Sequence, residues 1–167
     1  STSMKPGEVL AVLVSGKSIA YPVTIPEGYN IDEIADIFAA RGFIKKAEFL
    51  ALCKDASFIK ELLGEPLPTL EGYLFPNTYM FTKFTGVKEI IREMVRQFLL
   101  AYNEVSAGEK LVHMSRHDAV TLASIIEKET GVPEERGLVS SVFHNRMKKG
   151  MMLQTDPTVL YGIYDKT

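Results

Sequence analysis

Apolar residues recur at two spacings along the chain, and the change from one to the other marks its elements. Ile19 to Ile25 alternates and is β-branched, which predicts a strand closed by Pro26-Glu27-Gly28. Before it, Glu8 to Val14 is apolar behind the turn signal Lys5-Pro6-Gly7 and reads as a short helix ended by Ser15-Gly16-Lys17. After it the period becomes helical. Ile31 to Ala40 carries Ile34, Ile37 and Phe38, with Gly42 as a cap; Lys46 to Lys54 follows, then Ala56 to Leu63, stopped by Gly64 and the Pro66/Pro68 pair. Val87 to Tyr102 is the clearest amphipathic helix, with Ile90, Ile91, Met94, Val95, Phe98 and Leu99 at helical spacing. Ser106 to Lys110 reads as a loop.

In the C-terminal third, Ser115 is a predicted N-cap with Asp118 three residues on. Ala119, Val120, Leu122, Ala123, Ile125 and Ile126 then cover most of a helix circumference, so that helix is expected to be largely buried. Gly131 breaks the chain and Pro133 suits a first helical turn. The next helix is expected to bury Leu138, Val139, Val142, Phe143 and Met147, and to end at Lys148-Lys149 with Gly150 as its cap. The fold class is α+β, with a small N-terminal unit followed by a mainly helical part carrying short strands.

Composition narrows the picture. The 167 residues are 46% hydrophobic, enough for one ordinary domain or two small ones with a real core. A net charge of -2 holds no basic excess for a phosphate backbone, which points away from nucleic acid. The single cysteine, Cys53, excludes an internal disulfide and reads as a core thiol. No apolar run approaches a membrane span and no signal peptide is visible. Ser1-Thr2-Ser3 reads as a cloning remnant, and Tyr164-Asp165-Lys166-Thr167 carries neither helix stop nor closing strand. The chain is therefore expected to be an excerpt at both ends.

Three places carry candidate chemistry. Pro68 to Phe81 (PTLEGYLFPNTYMF) holds four aromatics and the lone carboxylate Glu71; it reads either as a sugar-stacking surface or as an apolar hinge between two packed parts. His113 and His117 stand four apart, but the cap at Ser115 separates them and no acidic residue adjoins the first, so no metal site is expected. Glu127 follows directly on the apolar run, with the small Ala123 and Ser124 one turn back. Glu127-Lys128-Glu129 is either a solvated last turn or the end of a buried helix. In the second case Glu127 loses solvation and holds its proton more tightly, as a general acid near neutral pH must. Glu129 lies about 200° further round the helix, so both cannot face one cleft. Gln154, Thr155, Asp156 and Thr158 form a polar cluster around an expected turn at Asp156-Pro157. It reads as the lining of a groove or as a loop satisfying its own backbone.

LEGYLFPNTY (Leu70 to Tyr79), ASIIEKET (Ala123 to Thr130), ER (Glu135-Arg136) and VFHNRMKKGMMLQTDPTVLYG (Val142 to Gly162) together resemble the endolytic murein transglycosylases of the MltG, or YceG-like, family. TIPEG (Thr24 to Gly28) is similar to that family's LysM-like subdomain, a small fold with helices on one face of a short sheet. The resemblance implies a LysM-like subdomain with its flanking segment over 1–66 and a YceG-like catalytic domain over 67–167 whose C-terminal part is missing. It implies one N-terminal membrane anchor on a protein facing the cell wall. It also implies cleavage of the MurNAc-β-1,4-GlcNAc bond inside nascent peptidoglycan strands, leaving 1,6-anhydro ends and terminating elongation.

The family's catalytic glutamate falls on Glu127, and Glu71 matches another acidic position facing the cleft. Residue type and motif position add Tyr73 and Tyr79 as sugar-stacking rings, Asn145 as a holder of an acetamido group, and Gln154, Thr155 and Asp156 as polar support. No cofactor is implied; the partners are glycan strands and, through the family, cell-wall synthases such as penicillin-binding proteins. The family continues past Tyr161-Gly162 into a Pro/Gly-rich segment that helps close the site. Two other readings stand beside this one. The first is a noncatalytic peptidoglycan-binding module. The second is a scaffold that docks synthases through the Val87–Tyr102 helix, although its stripe suits a core better.

Overall fold

A computed structural model describes residues 5–14, 16, 18–108 and 114–164. In chain order the elements are α1 (Pro6–Val14), β1 (Ala20–Thr24), α2 (Ile31–Ala40), α3 (Lys46–Leu52), α4 (Ala56–Leu63), β2 (Thr78–Thr82), α5 (Val87–Gly108), α6 (Arg116–Glu129), a 3-10 turn (Pro133–Glu135), α7 (Arg136–Lys148) and α8 (Asp156–Tyr164). The combination of helices with one small antiparallel sheet is α+β. No helix among the described residues is long and apolar enough to cross a membrane.

The core lies between Val23 and Phe98. Helix α2 begins on a capping box: Asn30 Oδ1 accepts from Glu33 N–H at 2.9 Å, and Asn30 N–H donates to Glu33 Oε2 at 2.8 Å. Its buried face, Ile31, Ile34, Ala35 and Phe38, follows the helical period. The Phe38 ring sits within about 6 Å of Phe49 (6.0 Å) and Phe81 (5.9 Å), a separation at which aromatic pairs attract. The stripe on α5 supplies Ile90, Ile91, Met94 and Val95, each at most 1% exposed, so it is a core face and not a free docking surface. Cys53 is fully buried as expected, and burial pushes its thiol up to about 12, with the nearby Glu71 charge adding to the effect.

Strand β2 was not expected: it forms within the aromatic stretch read as a sugar-stacking surface or a hinge. It pairs antiparallel with β1, Val23 opposite Tyr79, so Tyr79 and Phe81 face inward while Thr78 and Met80 face out. The apolar Met80 on the outer face blurs the alternation, and the partner strand lies far away in sequence. Pro22 is tolerated because a two-stranded sheet has only edges.

The C-terminal helices are also less buried than expected. On α6 only Leu122 is fully covered, while Ala123 and Ser124 are exposed. On α7 only Phe143 is; Leu138 is 69% exposed, and Val142 and Met147 are also exposed. These helices pack on one another and touch the core through a few side chains. Helix α6 is held at its start by Arg116, which donates to Glu65 (Nε, 3.0 Å) and to the Leu63 carbonyl (2.7 Å), and by a 3.2 Å hydrogen bond between Tyr73 Oη and His117 Nδ1. His113 falls outside the described residues. Helix α8 replaces the expected turn: Asp156 opens it and Pro157 fills its first turn.

Between core and α6 the backbone passes Gly72 at φ +80, and a Cβ there would stand 2.7 Å from Val120 Cγ1. Gly72→Ala should therefore lower stability by about 1–3 kcal/mol in urea unfolding. Combined with Val120→Ala, it should cost less than the sum of the two single changes. A Gly72→Ala chain as stable as the parent would contradict this packing.

Candidate active site

The stretch after α6 folds back on itself. Thr130 is buried; its hydroxyl donates to Glu135 Oε2 at 2.9 Å and accepts from Val132 N–H at 3.1 Å. This ties the end of α6 to the 3-10 turn and starts α7 beside it. Arg136, first residue of α7, thereby reaches Glu127: its Nη2 donates to Glu127 Oε1 at 3.0 Å. The same nitrogen lies 4.0 Å from Glu27 Oε2 in the turn after β1. Arg136 Nε is buried without a hydrogen-bond partner. Lys128 lies over the same turn, its Nζ 3.8 Å from where a Cβ on Gly28 would be.

Glu127 is therefore not fully desolvated: its side chain keeps 33% of its exposure and is paired. Among the described residues, Arg136 pairs with Glu127 and the turn after β1 lies beside it, and a third of the Glu127 side chain stays open. Glu129 points elsewhere, as the helical angle requires, and accepts from Thr155 Oγ1 at 2.8 Å. Thr155 is 5% exposed and its carbonyl accepts from Thr158 Oγ1 at 2.8 Å. Next to it Gln154 holds φ +52, unusual for a residue with a Cβ. Leu153, Gln154, Thr155, Asp156, Thr158 and Val159 line an open depression of about 400 Å³. Glu127 is not among its lining residues.

Glu71 serves the fold. It accepts from Ile31 N–H at 3.1 Å, capping α2 from a distance, and hydrogen bonds with the Gly72 N–H and the Tyr161 side chain of α8. Burial pushes its carboxyl up, against the pull of those three donors.

A family model described as the YceG-like family matches residues 1–167. The chain belongs to the YceG-like family. It is 36% identical to the endolytic murein transglycosylase of Bacillus subtilis (strain 168), over 92% of this chain and 47% of that protein. It is 33% identical to the one of Streptococcus pneumoniae serotype 2, over 84% of this chain and 29% of that protein. A crystal structure of a YceG-like protein from Listeria monocytogenes superposes with a TM-score of 0.76 at 35% identity, covering 96% of this chain and 58% of that one. The chain thus spans about half the length of the Bacillus relative or less in the case of Streptococcus.

Against the residues expected of a YceG-like site, the structure separates two groups. Asn145, Gln154 and Asp156 are exposed, and the last two line the depression. Tyr73 and Tyr79 are core residues and cannot offer ring faces to a sugar. Tyr73 is 0% exposed, packed edge-on against Phe98; Tyr79 is 5% exposed, stacked on Phe81, with its hydroxyl donating to the Phe75 carbonyl at 2.5 Å. Their corrected role is packing, the other reading of that aromatic stretch. Thr155 is buried on Glu129, so it positions its turn and presents no free hydroxyl. Arg136 is brought to Glu127, and Glu27 to Arg136; sequence reasoning quoted both in motifs without a role. The signal was present: a lone arginine at a turn nine residues after a buried-looking carboxylate.

A buried carboxyl with a raised proton affinity binds a proton in the folded chain that the unfolded chain has already released. Its contribution to stability is present at low pH and is lost as pH rises through the raised native value. Glu71→Gln keeps an acceptor for Ile31 N–H and removes the ionisation. Its melting temperature relative to the parent should rise with pH from the ordinary carboxylate range upward. A difference that stays flat with pH would contradict the burial assigned to Glu71.

Proposed function

We propose that this chain carries the acid-bearing part of an endolytic lytic transglycosylase. In this reading it cleaves the MurNAc-β-1,4-GlcNAc bond within nascent peptidoglycan strands and leaves 1,6-anhydro ends that terminate elongation. The observation that carries the reading is Glu127 at the water-accessible end of α6, flanked by Arg136 and by the turn holding Glu27, in a chain similar to proteins named endolytic murein transglycosylases.

One carboxyl suffices for this chemistry. Protonated Glu127 gives its proton to the glycosidic oxygen as the bond from C1 of the muramic sugar breaks. The C6 hydroxyl of the same sugar attacks C1, and its proton passes to the Glu127 carboxylate, which restores the acid. The products are an anhydro-ended strand and a strand with a free hydroxyl, and no water is consumed. Holding the ring so that its own hydroxyl can reach C1 is a proximity effect. A bound strand would also cover the exposed third of Glu127, removing the water that competes for its proton.

Of the expected sugar-binding residues, Asn145, Gln154 and Asp156 are exposed, and in this reading they meet sugar substituents. Helices α2, α3 and α4 after β1 are compatible with a LysM-like unit over 1–66, although its sheet is completed by β2 from beyond that boundary. In the same reading the intact protein has an N-terminal membrane anchor and meets cell-wall synthases.

The test is Glu127→Gln in the full-length protein on uncrosslinked glycan strands. Release of anhydro-ended products should fall by at least about a hundredfold, the scale of a lost general acid, while the circular dichroism spectrum is unchanged. A variant that retains full turnover would remove Glu127 from the chemistry. A parent protein that binds strands and releases no product would favour the noncatalytic module.

A further inference from the structure

We infer that Arg136 is a positioning residue for Glu127, and that it couples the acid to the turn after β1 through Glu27. This rests on the reading of Glu127 as the acid. The geometry is a guanidinium nitrogen between two carboxylates from different parts of the chain, 3.0 Å from Glu127 and 4.0 Å from Glu27. The guanidinium is the contact that the two acidic side chains share, the closer one being Glu127. The arrangement is poorly suited to stability alone. Arg136 Nε is buried with no acceptor, an unmet donor that an apolar or shorter residue would avoid. The Thr130–Glu135 hydrogen bond folds the chain back at the start of α7, and Arg136 is the first residue it delivers.

The chemistry gives the contact a use. As Glu127 releases its proton, negative charge grows on its oxygens, and a cation held 3.0 Å away stabilises that charge at the moment it forms. The same contact fixes the carboxyl rotamer, so that the oxygen which gave the proton is in place to take one back. The link to Glu27 makes the position of the acid depend on the N-terminal part, which would let strand binding at that part register at the cleavage point. The contact runs through one nitrogen and not a two-pronged fork, so a lysine ammonium should replace it in part.

The experiment compares Arg136→Gln, Arg136→Lys, Glu27→Gln and the Arg136→Gln/Glu27→Gln pair in the full-length protein, beside Glu127→Gln, on uncrosslinked glycan strands. Arg136→Gln should lower kcat about 10- to 100-fold and change KM by less than about threefold. Arg136→Lys should recover at least half of that loss on a logarithmic scale. Glu27→Gln should lower kcat about two- to fivefold alone and add nothing in the Arg136→Gln background, because both act through one contact. Unchanged kcat in Arg136→Gln, a loss confined to KM, or a folded Arg136→Lys as slow as the glutamine variant would each overturn the inference. If Arg136→Gln does not fold, the lysine variant decides alone. A silent Glu127→Gln beside a fully active Arg136→Gln sinks only the coupling, whereas turnover in Glu127→Gln sinks the acid assignment and the coupling together.

Discussion

The backbone at Gly72, at φ +80, lies so close to the Val120 side chain that a Cβ there would stand 2.7 Å from Val120 Cγ1. That approach sets where α6 lies on the core, and α6 carries both glutamates around which the site is built. The segment containing Gly72 is itself fixed from several directions. Leu70 and Tyr73 are fully buried, Leu70 N–H donates to the Cys53 carbonyl at 3.0 Å, and the chain beyond them supplies the second strand. One stretch thus closes the sheet, fills the core and seats the helix that presents Glu127.

The rest of the site follows from polar contacts, because the C-terminal helices bury little apolar surface. Arg116 and His117 hold the start of α6, Thr130 and Glu135 fold back its end, and Glu129 grips the turn before α8 through Thr155. Tyr161 on α8 returns to Glu71, which also caps α2. The two carboxylates of the EKE motif therefore divide their work. Glu129 accepts from the buried Thr155 hydroxyl, and Glu127, half-buried, pairs with one guanidinium nitrogen of Arg136.

Local pattern made much of this legible. Helices α2 and α4, the cap at Ser115 and the stop at Gly64 come from short-range signals, and short-range signals are where propensity and capping act strongly. The missed strand β2 depends on pairing with a partner more than fifty residues away, and alternation broken by Met80 hides it. The burial of α6 and α7 was overestimated because apolar spacing shows which face can be covered, not whether a neighbour covers it. At the site, motif position nominated Glu127, while residue type misled at Tyr73 and Tyr79: an aromatic ring suits a sugar and a core equally well, and only the packing decides. Arg136 escaped because its function is defined by a contact across a loop.

The central claim is that bond cleavage at Glu127 uses the sugar's own hydroxyl and no water. It is tested most directly by letting the full-length protein cut uncrosslinked strands in water enriched in oxygen-18 and weighing the new ends by mass spectrometry. Anhydro ends free of the label are predicted. Reducing ends that carry one labelled oxygen would show a hydrolase and contradict the single-acid mechanism.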